Sequence, residues 1–227
     1  MRDLTVIFDL DGTLVDTAPD LIAAANHALS DVGLEPVPGF VLAPAIALGA
    51  RFMIMDGLKH TGRQLPDAEV DRLLNLFLDY YLANIANESR PYPGAVDALT
   101  TLKAQGARLG ICTNKRSHLS NALIGALGLN DLLHAVVGRD SVKKSKPHPE
   151  HLTETIRLAG GDVKRAIMIG DTAVDVATAR AAGVPVIGVP FGYSDRPMAE
   201  LGPDAVITHY DQLLPAIESL VERFAAA

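Results

Sequence analysis

The chain has 227 residues, 48% of them apolar, few aromatic and none tryptophan, which suits an α/β protein with a sizeable core. Its net charge of −7 excludes an extended nucleic-acid surface, which needs clustered Lys and Arg, and no apolar run reaches the roughly 20 residues of a membrane span. Cys112 is the single cysteine, so no intramolecular disulfide forms, and with no cationic leader at the amino terminus a cytoplasmic protein is expected.

The first predicted element is a buried strand over residues 5–8, rich in β-branched and aromatic side chains. It delivers Asp9 and Asp11 two positions apart, followed by Gly12 and Thr13. Two carboxylates on one side of an extended chain repel by a few kcal/mol when partly desolvated, unless a cation lies between them. A divalent metal satisfies that need, and an Asp-Gly turn closing a hairpin is the plainer alternative. Beyond Asp16, Thr17 is a candidate cap and Pro19 a first-turn residue of a helix that stops at Gly33. Pro36, Pro38 and Pro44 precede a second helix over 45–60, and Pro66 with Asp67 opens a third. The third carries Val70, Leu73, Leu74, Phe77, Leu78, Tyr81, Leu82 and Ile85 at helical spacing, so it buries one face. No strand pattern interrupts residues 16–88, so 16–90 are expected to form an inserted helical domain.

Residues 88–94, with Pro91, Pro93 and Gly94, read as the return linker. Strict helix and strand alternation follows, with strands over 108–112, 134–137, 165–169 and 184–189 and a short one near 205–207. Such alternation predicts a parallel, doubly wound sheet of class α/β, built from residues 1–15 and 91–227. Thr113 and Asn114 leave the second strand, Lys146 lies in the loop after the third, and Asp171 leaves the fourth, with Asp175 following. In a parallel sheet these points share one edge, where open α/β sheets place their sites. Singly, Thr113 or Asn114 could cap a helix, Lys146 could be one more solvated lysine beside Lys143 and Lys144, and Asp171 could close a turn. Together they predict a site for a metal and a phosphate. Cys112, inside a strand, is expected in the core, and the seven histidines show no paired spacing of a zinc site.

The stretch Asp9-Leu10-Asp11-Gly12-Thr13-Leu14-Val15-Asp16 resembles the signature of the haloacid dehalogenase superfamily of phosphotransferases. Thr113-Asn114, Lys146-Pro147-His148-Pro149 and Gly170-Asp171-Thr172 with Asp175 resemble its further motifs in the same order. The resemblance implies that Asp9 is the nucleophile, Asp11 the general acid and base, Thr113 a hydroxyl donor to the phosphoryl group, and Lys146 its neutralising cation. It implies Mg²⁺ held by Asp9, the main-chain carbonyl of Asp11, and Asp171, with Asp175 in support, and substrate contacts from Gly12, Thr13 and Asn114. The helical insertion resembles the lid of one subclass. Thr113-Asn114-Lys115, Gly192-Tyr193 and the stretch from Leu48 to Arg51 resemble phosphoglycolate phosphatases, although a Gly-x-Gly pattern usual in the lid is replaced here by Ala47-Leu48-Gly49. The implied activity is hydrolysis of a small phosphorylated metabolite, with 2-phosphoglycolate foremost and Arg51 a candidate for the substrate carboxylate. The protein acting would be a monomer or homodimer, without nucleic-acid or membrane partners. A sugar phosphomutase of the β-phosphoglucomutase type uses the same core. A receiver-like phospho-accepting module is about half this length and needs no second carboxylate after the acceptor.

Overall fold

The computed structural model describes residues 1–225. In chain order the elements are β1 (Thr5–Phe8), β2 (Val15–Asp16), α1 (Ala18–Ser30), α2 (Gly39–Leu42), α3 (Ala50–His60), α4 (Asp67–Ala83) and β3 (Arg90–Pro91). There follow α5 (Ala95–Ala104), β4 (Arg108–Thr113), α6 (Ser117–Ala126), β5 (Ala135–Gly138), α7 (Pro149–Leu158), β6 (Ala166–Gly170), α8 (Ala173–Ala182) and β7 (Val186–Gly188). The last are α9 (Met198–Leu201), β8 (Ala205–Val206) and α10 (Leu213–Ala225). They form two compact units, one of residues 1–15 with 91–227 and the other of residues 16–90. No described helix is long and apolar enough to cross a membrane.

The first unit is an α/β sheet in the order β5-β4-β1-β6-β7-β8, with every strand pair parallel. Phe8 lies level with Ile111 and Ile169. The chain therefore builds outward from β1 to β5, then crosses back to β6 on the other side of β1. That reversal makes the carboxyl end of β1 the switch point at which a crevice opens. Central β1 is buried along its whole length, which explains its unbroken apolar run. Ile7, Cys112 and Met168 share a cluster with Leu152 and Ile156 of α7 and Val176 and Ala179 of α8. Cys112 is thus a core residue, and burial pushes its thiol up to about 12.

In the second unit α1 packs against α3 and α4. Leu21, Ala25, Leu29, Ile54, Leu58, Leu73, Phe77 and Tyr81 are buried, at the helical spacing read from the sequence. Gly57 lets the helices approach closely, since a Cβ there would lie 2.5 Å from Leu29 Cδ1. The expected helix over 45–60 is divided: residues Ala43–Leu48 form a 3₁₀ turn, and Gly49, at φ 104°, breaks the path before α3. Thr17 supplies no side-chain cap to α1; instead Asp16 Oδ1 accepts from the Ala18 N–H at 3.2 Å. Asp20 is buried, and its carboxylate accepts from the N–H groups of Glu88 and Ser89 and from the Ser89 hydroxyl. That closure holds the last residues of the unit against its first helix. The two connecting segments, β2 and β3, pair as a two-stranded ribbon.

Candidate active site

Asp9 follows β1 directly, and its N–H continues the sheet ladder to Ile169 O at 2.9 Å. Its Oδ1 accepts from the N–H of Leu10 at 2.7 Å and stands 2.9 Å from Lys146 Nζ. Lys146 Nζ also donates to Asp175 Oδ1 at 2.7 Å. Asp175 is the N3 residue of α8, in a reciprocal cap with Thr172: the N–H and hydroxyl of Thr172 both donate to Asp175 Oδ2, at 3.0 and 2.6 Å. Both oxygens of Asp175 are thereby engaged by protein groups.

Asp171 leaves β6 fully buried. Thr13 Oγ1 donates to its Oδ1 and the Tyr193 N–H to its Oδ2, each at 2.7 Å. Glycines make the approach feasible. Gly12 has φ +80°, and a Cβ at Gly192 would fall 2.3 Å from Asp171 Oδ2 and 2.4 Å from Gly12 O. Tyr210, in a row of mutually tilted rings with Phe191 and Tyr92, donates its hydroxyl to Thr13 O at 2.8 Å.

Ligand-capable oxygens of Asp9, Asp171 and Asp175 lie within 4.8 Å of one another. Burial, opposed by Lys146 and reinforced by Asp175 and Asp11, pushes the Asp9 carboxyl up to about 7. Burial and then the charges of Asp175 and Asp9 raise Asp171 well above the ordinary carboxylate range. Burial works against the Lys146 ammonium, but Asp175 and Asp9 outweigh it and hold its pKa above that of a free lysine. Three buried carboxylates share the cluster, and Lys146 pairs with two of them, so two negative charges remain to be offset when all are ionised. A divalent cation with oxygen ligands fits that charge and donor set. Asp171 accepts one hydrogen bond at each oxygen and so keeps a lone pair on each for a cation, and Asp9 accepts through Oδ1, whereas Asp175 is the most heavily engaged, with two donors from Thr172 on Oδ2 and the Lys146 ammonium on Oδ1.

The remaining predicted residues divide into two groups. Asp11 and Thr113 come to the same edge. The carboxylate of Asp11 meets Lys115 Nζ at 2.7 Å, and buried Thr113 accepts from the Lys115 N–H at 3.1 Å. Asn114 Nδ2 donates to the main-chain carbonyl of Lys146 at 3.1 Å, while its buried Oδ1 has no hydrogen-bond partner among the described residues. Arg51 belongs to the helical unit, where it pairs with Asp67 at 2.9 Å and with Asp71.

Sequence reading placed Lys115 and Tyr193 in stretches of family resemblance, after Thr113-Asn114 and after Gly192, but gave neither a role at the site, and it missed His151; Tyr193 contributes through its main chain. His151 is buried, with Nδ1 accepting from the Lys146 N–H at 3.2 Å and Nε2 3.0 Å from Val137 O. It was read as one of the scattered histidines.

Residues 6–189 match the haloacid dehalogenase-like hydrolase family. The chain belongs to that family. It is 50% identical to a phosphoglycolate phosphatase of Mesorhizobium japonicum, over 92% of each chain. To one of Agrobacterium fabrum it is 46% identical, over 97% of this chain and 95% of the relative. A crystal structure described as a predicted phosphoglycolate phosphatase from Haemophilus somnus superposes with a TM-score of 0.88 at 31% identity, covering 95% of this chain and 98% of that one. The parallel sheet and the acidic cluster at its edge are therefore those of a family hydrolase.

Proposed function

We propose that this protein is a cytoplasmic, magnesium-dependent phosphatase that hydrolyses 2-phosphoglycolate to glycolate and phosphate through an aspartyl-phosphate. The observation that carries the reading is the grouping of Asp9, Asp171 and Asp175 at the end of β1, with Lys146 paired to Asp9 and Asp175. The substrate is supported by the names of relatives up to 50% identical over nearly their full length. Magnesium would be held by the carboxylates of Asp9 and Asp171 and the main-chain carbonyl of Asp11, and when bound it supplies charge compensation for a dianionic phosphate.

Asp9 attacks phosphorus with a carboxylate oxygen, and the ester oxygen leaves. Lys146, fixed by Asp175, favours the ionised form of Asp9 against its burial and draws in the phosphoryl oxygens. The Thr113 hydroxyl and the main chain at Gly12 and Thr13 donate to those oxygens, and Asn114 holds the Lys146 carbonyl. Asp11 protonates the leaving oxygen, then takes a proton from the water that opens the aspartyl-phosphate. Uncatalysed hydrolysis of such esters can require about 10²¹-fold acceleration, so charge stabilisation across the phosphoryl group carries most of the effect. Residues 16–90 act as the lid that excludes water and selects the leaving group. The protein works as a monomer or homodimer.

Release of inorganic phosphate from 2-phosphoglycolate with magnesium tests the reading. Asp9→Asn should leave no detectable turnover, and trapped wild-type enzyme should carry phosphate on the peptide containing Asp9. Asp11→Asn should lose about 10²–10⁴ in rate at each proton-transfer step. A silent wild-type enzyme, or phosphate on a peptide lacking Asp9, would overturn it.

A further inference from the structure

A second ammonium lies at the same edge with no part in the chemistry above. Lys115 Nζ is 2.7 Å from Asp11 Oδ1, and the lysine side chain is only 6% exposed. A lysine rarely buries its head, because desolvation and lost rotamer freedom oppose it. Here the main chain is built to aim it. The Lys115 N–H donates to Thr113 Oγ1 at 3.1 Å, and its carbonyl accepts from the Arg139 N–H at 3.0 Å. The loop also packs on Gly138, where a Cβ would lie 2.7 Å from Lys115 O and 2.4 Å from Ser117 N.

We propose that Lys115 is the specificity residue that binds the carboxylate of the substrate. The inference rests on the reading above, in which Asp11 serves the leaving oxygen of a carboxylated phosphate ester. In 2-phosphoglycolate the carboxylate carbon is two bonds from that oxygen. A cation within hydrogen-bond distance of the acid and base therefore stands where the carboxylate must come. An ammonium has three donors, so it can hold Asp11 and a substrate oxygen together. Lys146 cannot serve both ends of the molecule, since Asp9 and Asp175 fix it at the phosphoryl end. Arg51, the cation singled out from the sequence, would first have to give up Asp67 and Asp71.

The test compares kcat/KM for 2-phosphoglycolate and for 2-hydroxyethyl phosphate, which keeps the two-carbon leaving group but lacks the carboxylate. Any disturbance passed through Asp11 lowers both values, so the ratio reads recognition alone. Wild type should favour 2-phosphoglycolate by about 100-fold or more, the scale on which a buried charged contact discriminates. Lys115→Met and Lys115→Gln should each reduce that ratio at least tenfold, chiefly through KM, and Lys115→Arg should retain part of it. The companion variants cover the case in which one fails to fold. A high wild-type ratio that both neutral variants preserve overturns the role of Lys115 and leaves the phosphatase reading intact. A wild-type ratio near one removes the phosphoglycolate assignment and this inference with it.

Discussion

His151 shows how one buried side chain can fix the position of another in the candidate site. Its Nδ1 accepts the Lys146 N–H and its Nε2 faces Val137 O, so the ring is neutral with the proton on Nε2. With Asn114 on the Lys146 carbonyl, both peptide groups of the lysine are held, and Nζ is delivered between Asp9 and Asp175. Burial lowers the imidazole from its ordinary value near 6.5 to about 4. Since the unfolded chain takes up that proton first, the stabilisation is complete above about pH 7 and declines as pH falls toward 4, by at most about 3 kcal/mol. Denaturant titrations of wild type and His151→Phe should converge as pH is lowered through this window, and an unchanged gap would contradict the assignment. The residue types of the site were legible where charge or spacing set them apart, as with Asp9, Asp11, Lys146 and Asp171. Lys115 stood only in a stretch of family resemblance with no role attached, and His151 was a lone histidine; no local pattern names their partners, which only the fold supplies.

At the level of elements, the site depends on how closely three loops approach. Asp171 sits where the turn at Gly12 and the segment at Gly192 converge, and no Cβ fits at either position without moving backbone or the carboxylate. Gly192→Ala should cost about 1–3 kcal/mol of stability by overpacking and should also weaken magnesium binding, because the displaced group is Asp171. Gly183→Ala is the control: it ends α8 at φ +67° with nothing within 4 Å of a Cβ, so it should lose about 1–2 kcal/mol from the left-handed backbone alone and keep its magnesium affinity. Equal loss of affinity in the two variants, measured by calorimetry, would show that general loosening, not the crowding at Asp171, is responsible. Periodicity made most helices and the sheet strands readable, with ends displaced by a residue or two. It missed the break at Gly49 and the short β3 and α9, since a bend set by one φ angle or an element of two to four residues leaves no period to detect.

For the whole molecule, the α/β class followed from alternation, and the switch point at β1 explains why residues far apart in sequence meet. All six strands of the sheet come from residues 1–15 and 91–227, while the ends of the helical segment emerge side by side at β2 and β3. Replacing residues 17–89 by a short Gly-Ser turn should therefore leave a cooperatively folding unit that retains magnesium binding, as insertions joined at adjacent ends tolerate removal. Turnover of 2-phosphoglycolate should fall by about 10²-fold or more with the lid gone. A truncated chain that is unfolded by circular dichroism would show instead that the sheet depends on the insertion.

The ribbon of β2 and β3 also bears on the order in which the chain is made. During synthesis β1 leaves the ribosome long before β4 or β6, its two neighbours, and by itself it is an apolar strand with unpaired edges, the kind of segment that invites aggregation. Residues 16–90 emerge next, and their helices, each held by local backbone hydrogen bonds, form quickly. Once Arg90 and Pro91 pair with Val15 and Asp16, the path from Phe8 to Ile111 is shortened severalfold, and each halving of a loop saves about 0.6 kcal/mol of closure entropy. The strand that precedes Asp9 is thus held at the mouth of a closed loop before either partner strand is free to pair, and β4 arrives within a short tether of the edge it must join.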